Sequence, residues 1–145
     1  MMPACKNHFN VYAKDKRREK MKTTVFREKA PKPIGPYNQA VRAGKFLFVS
    51  GQLPIDPKEG KIVAKTATLQ TIQVMENVKA ILEAACYSLK DIGQSNVHLT
   101  SMTLFNEFNT KYARYFEVEF PARATVGAEL KVDALVEVSL VAYQD

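Results

Sequence analysis

Changes in the spacing of apolar positions divide the chain into elements. Between Thr68 and Ala85 there is no glycine or proline, and Thr71, Met75, Val78, Leu82 and Ala85 step by four, three, four and three residues. That spacing is one face of a 3.6-residue helix, and Thr66 or Thr68 is placed to cap its start. A second helix is expected from about Leu104 to Phe116, with Phe105, Phe108, Tyr112 and Phe116 on one face and Pro121 breaking the chain beyond it. Short β-branched or apolar runs at Thr23–Arg27, Gln39–Ala43, Phe46–Ser50, Ser95–Thr100, Ala124–Ala128 and Ala134–Tyr143 read as strands. Gly44-Lys45 joins two of them as a hairpin. Ala30–Pro36 has three prolines in six residues and cannot be regular structure. Asp56–Gly60 is a turn, and Ser88–Asp91 resembles a capping box that starts one short turn.

The order β, ββ, α, β, α, β, β is an α+β pattern. Two amphipathic helices cover at most one face of such a sheet. Phe46-Leu47-Phe48-Val49 is continuously apolar, which predicts burial on both faces. The strands as a whole are too apolar to leave a face in water. The sheet therefore curls, or its second face meets another subunit, and a closed symmetric homo-oligomer is the expectation.

Composition narrows this little. The chain has 145 residues, 46% hydrophobic and 25% charged, which excludes a disordered or rod-like protein. No apolar run approaches the length of a membrane span. Two cysteines, Cys5 and Cys86, make no disulfide framework and point to a reducing, cytoplasmic compartment. The net charge of +6 hints at nucleic acid until it is located. Residues 1–20 hold six basic and two acidic side chains, and the rest hold fifteen and thirteen, so +4 lies in the extension and +2 beyond it. Residues 1–20 are expected to be a mobile basic extension and residues 21–145 the domain, which argues against a nucleic-acid partner. Met21 suggests an upstream start codon or added leader; a mitochondrial transit segment is the alternative, although the stretch has no Ser and carries Asp15 and Glu19.

Several residues do not fit a purely structural role. Glu137 interrupts the apolar strand Ala134–Ala142 on the face it shares with Leu135, Ser139 and Val141. A carboxylate there is costly to bury unless paired or functional; an edge strand with Glu137 in water is the alternative. Arg123 precedes a strand in Phe120-Pro121-Ala122-Arg123-Ala124-Thr125, and its planar fork suits a carboxylate; a solvated loop arginine is the alternative. Tyr37 follows a rigid Gly-Pro pair, and Gly51 after Ser50 permits close backbone approach to a ligand; turn chemistry explains them equally. Asn109 lies off the aromatic line of its helix, where asparagine is usually solvated. His98 stands alone on a presumed strand as a core or rim residue, with no His pair for ribonuclease chemistry. Cys86, at an apolar helix end, reads as a small buried hydrophobe. No phosphate-loop, dinucleotide, zinc-protease or serine-hydrolase motif is present.

Taken together and in order, Ala30-Pro31-Lys32-Pro33-Ile34-Gly35-Pro36-Tyr37-Asn38-Gln39-Ala40, Val49-Ser50-Gly51-Gln52-Leu53-Pro54-Ile55-Asp56-Pro57, Glu76-Asn77-Val78-Lys79-Ala80-Ile81-Leu82 and Phe120-Pro121-Ala122-Arg123-Ala124 resemble the RidA/YjgF family, also called L-PSP endoribonuclease or translation inhibitor. The resemblance runs from Met21 to the C-terminus. It implies a chorismate-mutase-like α+β fold, with two helices on one face of a mixed sheet, in a homotrimeric barrel with clefts between subunits. It implies hydrolysis of reactive 2-imino acids, released by pyridoxal-phosphate enzymes, to 2-oxo acids and ammonia, with no cofactor or metal. Its implied catalytic residues are Arg123, which binds the substrate carboxylate, and Glu137, which positions the attacking water. Tyr37, Ser50, Gly51, Asn109 and Thr125 complete the implied substrate pocket. Thr125 stands where many members have cysteine, which leaves a backbone carbonyl but no thiol chemistry. The segment Gly127–Asp133 is one residue short and lacks the usual Leu-Pro pair, which is expected to move the Arg123 strand relative to Glu137. Cys86 replaces a customary glycine. An endoribonuclease or translation inhibitor, and a non-enzymatic ligand-binding or chaperone-like trimer, are the alternatives.

Overall fold

The computed structural model describes residues 22–145; the basic extension expected over residues 1–20 lies outside the described residues. In chain order the elements are β1 (Lys22–Val25), β2 (Ala40–Ala43), β3 (Phe46–Gln52), a small hairpin β4 (Ile55–Asp56) and β5 (Lys61–Ile62), helix α1 (Ala67–Ala84), β6 (Ile92–Leu99), helix α2 (Phe105–Tyr112), β7 (Ala122–Gly127) and β8 (Val136–Tyr143). Single 3-10 turns precede β6 and flank α2. The main sheet has the order β1-β2-β3-β8-β6-β7, antiparallel throughout except for the parallel β6–β7 pair. The fold is α+β with two helices on one face of a mixed sheet, as expected.

The helix ends follow from local chemistry. At the start of α1 the Leu69 N–H donates to Thr66 Oγ1 at 3.3 Å. Thr68 donates from both its backbone N and its Oγ1 to Glu107 Oε1 of α2, at 2.7 and 2.8 Å. A carboxylate at a helix N-terminus is favoured by the exposed N–H groups, and these two bonds hold Glu107 below the usual carboxylate range. At the other end Cys86 has φ +64°. The Cys86 and Tyr87 N–H groups return to Glu83 O and Leu82 O at 3.1 and 2.9 Å, the bond pattern of a left-handed helix cap. Cys86 is exposed there, which corrects the expectation of a buried hydrophobe: the cap turns its side chain away from the core.

Val74, Met75, Val78, Ile81 and Leu82 of α1 bury against Leu47, Val49, Val97, Leu99, Val136, Val138 and Leu140 of the sheet. Each such side chain contributes about 1.5–3 kcal/mol relative to exposure. Phe108, Tyr112 and Phe116 stack in sequence, with centroids 5.1 and 4.9 Å apart, and extend this core along α2. The opposite sheet face carries Phe46 and Phe48, 47% and 48% exposed, with Tyr143 packed on Phe46 at 5.1 Å. The expected burial of Phe46–Val49 on both faces is therefore corrected for the single chain: only Leu47 and Val49 face the helices. Glu137 is not on an edge strand, because β8 lies between β3 and β6.

β7 keeps an uninterrupted parallel register with β6 from Gln94↔Ala122 to Leu99↔Gly127. Val132 takes up the turn at φ +54°, a strained conformation for a β-branched residue. Gln70, buried on α1, accepts from Leu135 N–H at 2.7 Å and donates to Ala64 O and Asp133 O at 3.1 and 3.4 Å, tying this loop to the helix.

Candidate functional site

The implied site residues fall into two groups on opposite faces of the sheet. The first lines a cleft of about 720 Å³ formed by Tyr37, Ser50, Gly51, His98, Glu137 and the loop at Ala128–Lys131. Its wall is the proline-rich segment, held in shape by Gln39. Gln39 is buried; its Oε1 accepts from Arg27 N–H at 2.6 Å, and its Nε2 donates to Arg27 O, Ala30 O and Pro31 O at 3.0, 3.2 and 2.8 Å. Tyr37 is exposed and its hydroxyl accepts from Ile34 N–H at 3.2 Å. Ser50 and Gly51 sit where β3 slips register against β8 between Val49 and Gln52, so they leave the ladder and face the cleft. The Ser50 hydroxyl donates to Asn38 O at 2.6 Å, which leaves its lone pairs to accept from a ligand.

Gly51 and Glu137 fit each other. A Cβ at position 51 would lie 2.8 Å from the Glu137 carboxyl carbon and 3.0 and 3.1 Å from its oxygens. Only glycine lets the carboxylate rest against that backbone. On the other side, His98 Nδ1 is 3.3 Å from Glu137 Oε1, the two side chains being 33% and 27% exposed. Nδ1 is shut off from solvent and is not aligned with any acceptor as a hydrogen bond.

The second group surrounds Arg123 on β7. Arg123 pairs in register with Ser95, on the helix-facing side, whereas Glu137 pairs with His98, on the open side. The guanidinium lies 5.7, 5.6 and 5.1 Å from the ring centres of Phe105, Phe108 and Tyr112. Such stacking orients an arginine fork and keeps its donors available. Among the described residues no carboxylate pairs with it. Tyr112 is fixed by a 2.7 Å hydrogen bond with Ser95 Oγ; burial pushes its phenol pKa up, against the Ser95 bond and the Arg123 charge. Asn109 lies between Phe105 and Tyr112 on the α2 surface, half-buried, rather than on the solvated side. Its Oδ1 and Thr125 Oγ1 are buried and without a hydrogen-bond partner. Arg123 thus lies on a strand rather than in a loop, and though exposed it is stacked on three rings.

Sequence reasoning missed the partners of two residues. His98 is the rim residue that the sequence suggests, but its place beside Glu137 follows only once β6 and β8 are neighbours. Gln39 gave no signal, because its role depends on carbonyls eight to twelve residues away. Among the described residues no cluster of His, Cys, Asp or Glu could hold a metal ion, and no helix is long and apolar enough to cross a membrane.

Comparison with known proteins gives a consistent result. The family profile described as Endoribonuclease L-PSP matches residues 27–144. A RutC family protein of Pyrococcus horikoshii is 52% identical over 126 residues, which is 86% of this chain and all of that one. Among solved structures, the Rid family protein YyfA from Yersinia pestis superposes with a TM-score of 0.82 at 36% identity, covering 85% of this chain and 99% of that one. E. coli TdcF, solved with bound serine, gives 0.81 at 34% identity, covering 85% and 99%.

Proposed function

Because the chain belongs to the RidA/YjgF/L-PSP family, we propose that it hydrolyses reactive 2-imino acids to 2-oxo acids and ammonia. The observation that carries this reading is the Arg123 guanidinium, held over three rings with no carboxylate partner among the described residues. A small ligand with a carboxylate suits that free fork. The serine bound to TdcF carries one.

An iminium carbon is already electrophilic, so the protein's task is to hold the substrate, present a water and accept a proton. Arg123 takes the carboxylate by two charge-assisted hydrogen bonds. Glu137, set against Gly51, takes the proton of the attacking water. The carbinolamine then collapses to the oxo acid as the nitrogen leaves protonated. Iminium and water become ketone and ammonium, with no other reactant. Tyr37 and Ser50 border the same cleft as Glu137. Arg123 and Glu137 point to opposite faces of one chain, so a site that uses both is completed by another copy. The open face with Phe46, Phe48, Val126 and Tyr143 suits such contact, and a homotrimer with sites between subunits is the assembly we propose.

Nothing in the structure favours the endoribonuclease activity in the family's name. The residues beyond the extension carry a net +2, and His98 is their single histidine. The test couples the protein to threonine dehydratase with threonine and follows imine lifetime by semicarbazide trapping. Wild type is expected to shorten that lifetime and Arg123→Ala to lose about 10²-fold in kcat/KM, the scale of one charged hydrogen-bonded contact. Equal imine consumption by the two proteins refutes the assignment.

A further inference from the structure

Resting on the reading of Glu137 as proton acceptor, we propose that His98 is a positioning residue for Glu137: it holds the carboxylate against Gly51, in place to accept the proton of the attacking water. His98 Nδ1 lies 3.3 Å from Glu137 Oε1 and is closed off from solvent. If Nδ1 carried a lone pair, it would face the lone pairs of an ionised carboxylate, which can only accept. With the proton on Nδ1, a small rotation of either side chain turns the contact into a hydrogen bond. Such contacts are often long in the absence of substrate. Glu137 is then fixed on two sides, by the bare backbone of Gly51 and by the imidazole.

The surroundings leave few competitors. From β8, Glu137 is the register partner of His98; from β7, the partner is the uncharged Val126. β3 contributes Ser50 and Gly51 to the cleft, the proline-rich segment contributes Tyr37, and the loop after β7 contributes Glu129 and Lys131. Glu137 is the one carboxylate within ion-pair reach of His98 among the described residues.

The test compares kcat and KM, corrected for spontaneous imine hydrolysis, in wild type, His98→Phe, His98→Asn and Glu137→Gln, with thermal melts confirming that each is folded. Asparagine keeps an N–H donor near the Nδ1 position. His98→Phe is expected to lose about tenfold in kcat, the value of one positioning hydrogen bond, with KM unchanged. His98→Asn is expected to recover part of that kcat. Wild-type kcat in His98→Phe, or no recovery in His98→Asn, with Glu137→Gln inactive, overturns the role of His98 alone. Full activity in Glu137→Gln overturns the underlying reading of Glu137 instead.

Discussion

Substituting Gly51 by alanine tests whether the Glu137 carboxylate works where the structure sets it. The added Cβ would lie 2.8 Å from the carboxyl carbon, while carbon–carbon contacts settle at about 3.5–4.0 Å, so the carboxylate must withdraw by about 0.7 Å or more. Withdrawal also changes its 3.3 Å relation to His98. Displacing a reacting group by about 1 Å costs on the order of 10²-fold in rate. The stability cost is smaller: the clash meets the end of a flexible, partly solvated side chain, so about 1 kcal/mol is expected, the low end for overpacking. The assay is kcat/KM for imine hydrolysis beside a denaturant melt, for Gly51→Ala, Glu137→Gln and the double variant. A large loss of activity with a small loss of stability is expected, and the double variant should be no worse than Glu137→Gln, because both changes disable one group. Wild-type kcat/KM in Gly51→Ala, or fully multiplicative losses, would refute the placement of Glu137 as the group displaced.

Two further outcomes follow from the same structure. Gln39→Ala removes the amide that serves Arg27, Ala30 and Pro31; a loss of about 3 kcal/mol is expected from the stranded backbone groups, with raised susceptibility of the 30–37 segment to proteolysis, and an unchanged denaturation midpoint contradicts the clamp. Burial first, and then the charge and hydrogen bond of Glu76, push the Tyr115 phenol up to about 12. A folded-state value above the unfolded one means that the neutral phenol's contribution is fully present below about pH 10 and is lost as the pH rises through 12; Tyr115→Phe should flatten that part of the stability–pH curve, and an identical alkaline slope counts against it.

Much of the fold was legible because its elements have strong periodicity and local stop signals. The α1 face, its Thr66 cap, the Gly44 hairpin and the Ser88–Asp91 turn all depend on residues within a few positions of one another. What could not be read depends on distant neighbours. The burial of Phe46 and Phe48 was overestimated because an apolar run is the same whether its second face meets helices or lies open. The second helix starts where its apolar spacing predicts but ends at Tyr112 rather than Phe116, because the 3-10 turn at 113–115 continues the same apolar face. In the candidate site, residue types were legible but their partners were not: that Glu137 needs Gly51, and that His98 lies beside it, depend on the order of strands in the sheet.

The same register sets Arg123 and Glu137 apart. Their β6 partners, Ser95 and His98, are three positions apart. Side chains alternate between faces along a strand, so an odd separation puts the two on opposite sides. No change in loop length brings them together unless a strand slips by one residue, and such a slip turns every side chain of that strand to the other face. For β8 it would expel Val136, Val138, Leu140 and Ala142 from the core. At about 1.5–3 kcal/mol for each of the larger side chains, that exceeds what any one ligand contact returns. Loop variation can reshape the cleft wall at Glu129–Lys131, but within one chain it leaves Arg123 and Glu137 on opposite faces of the sheet.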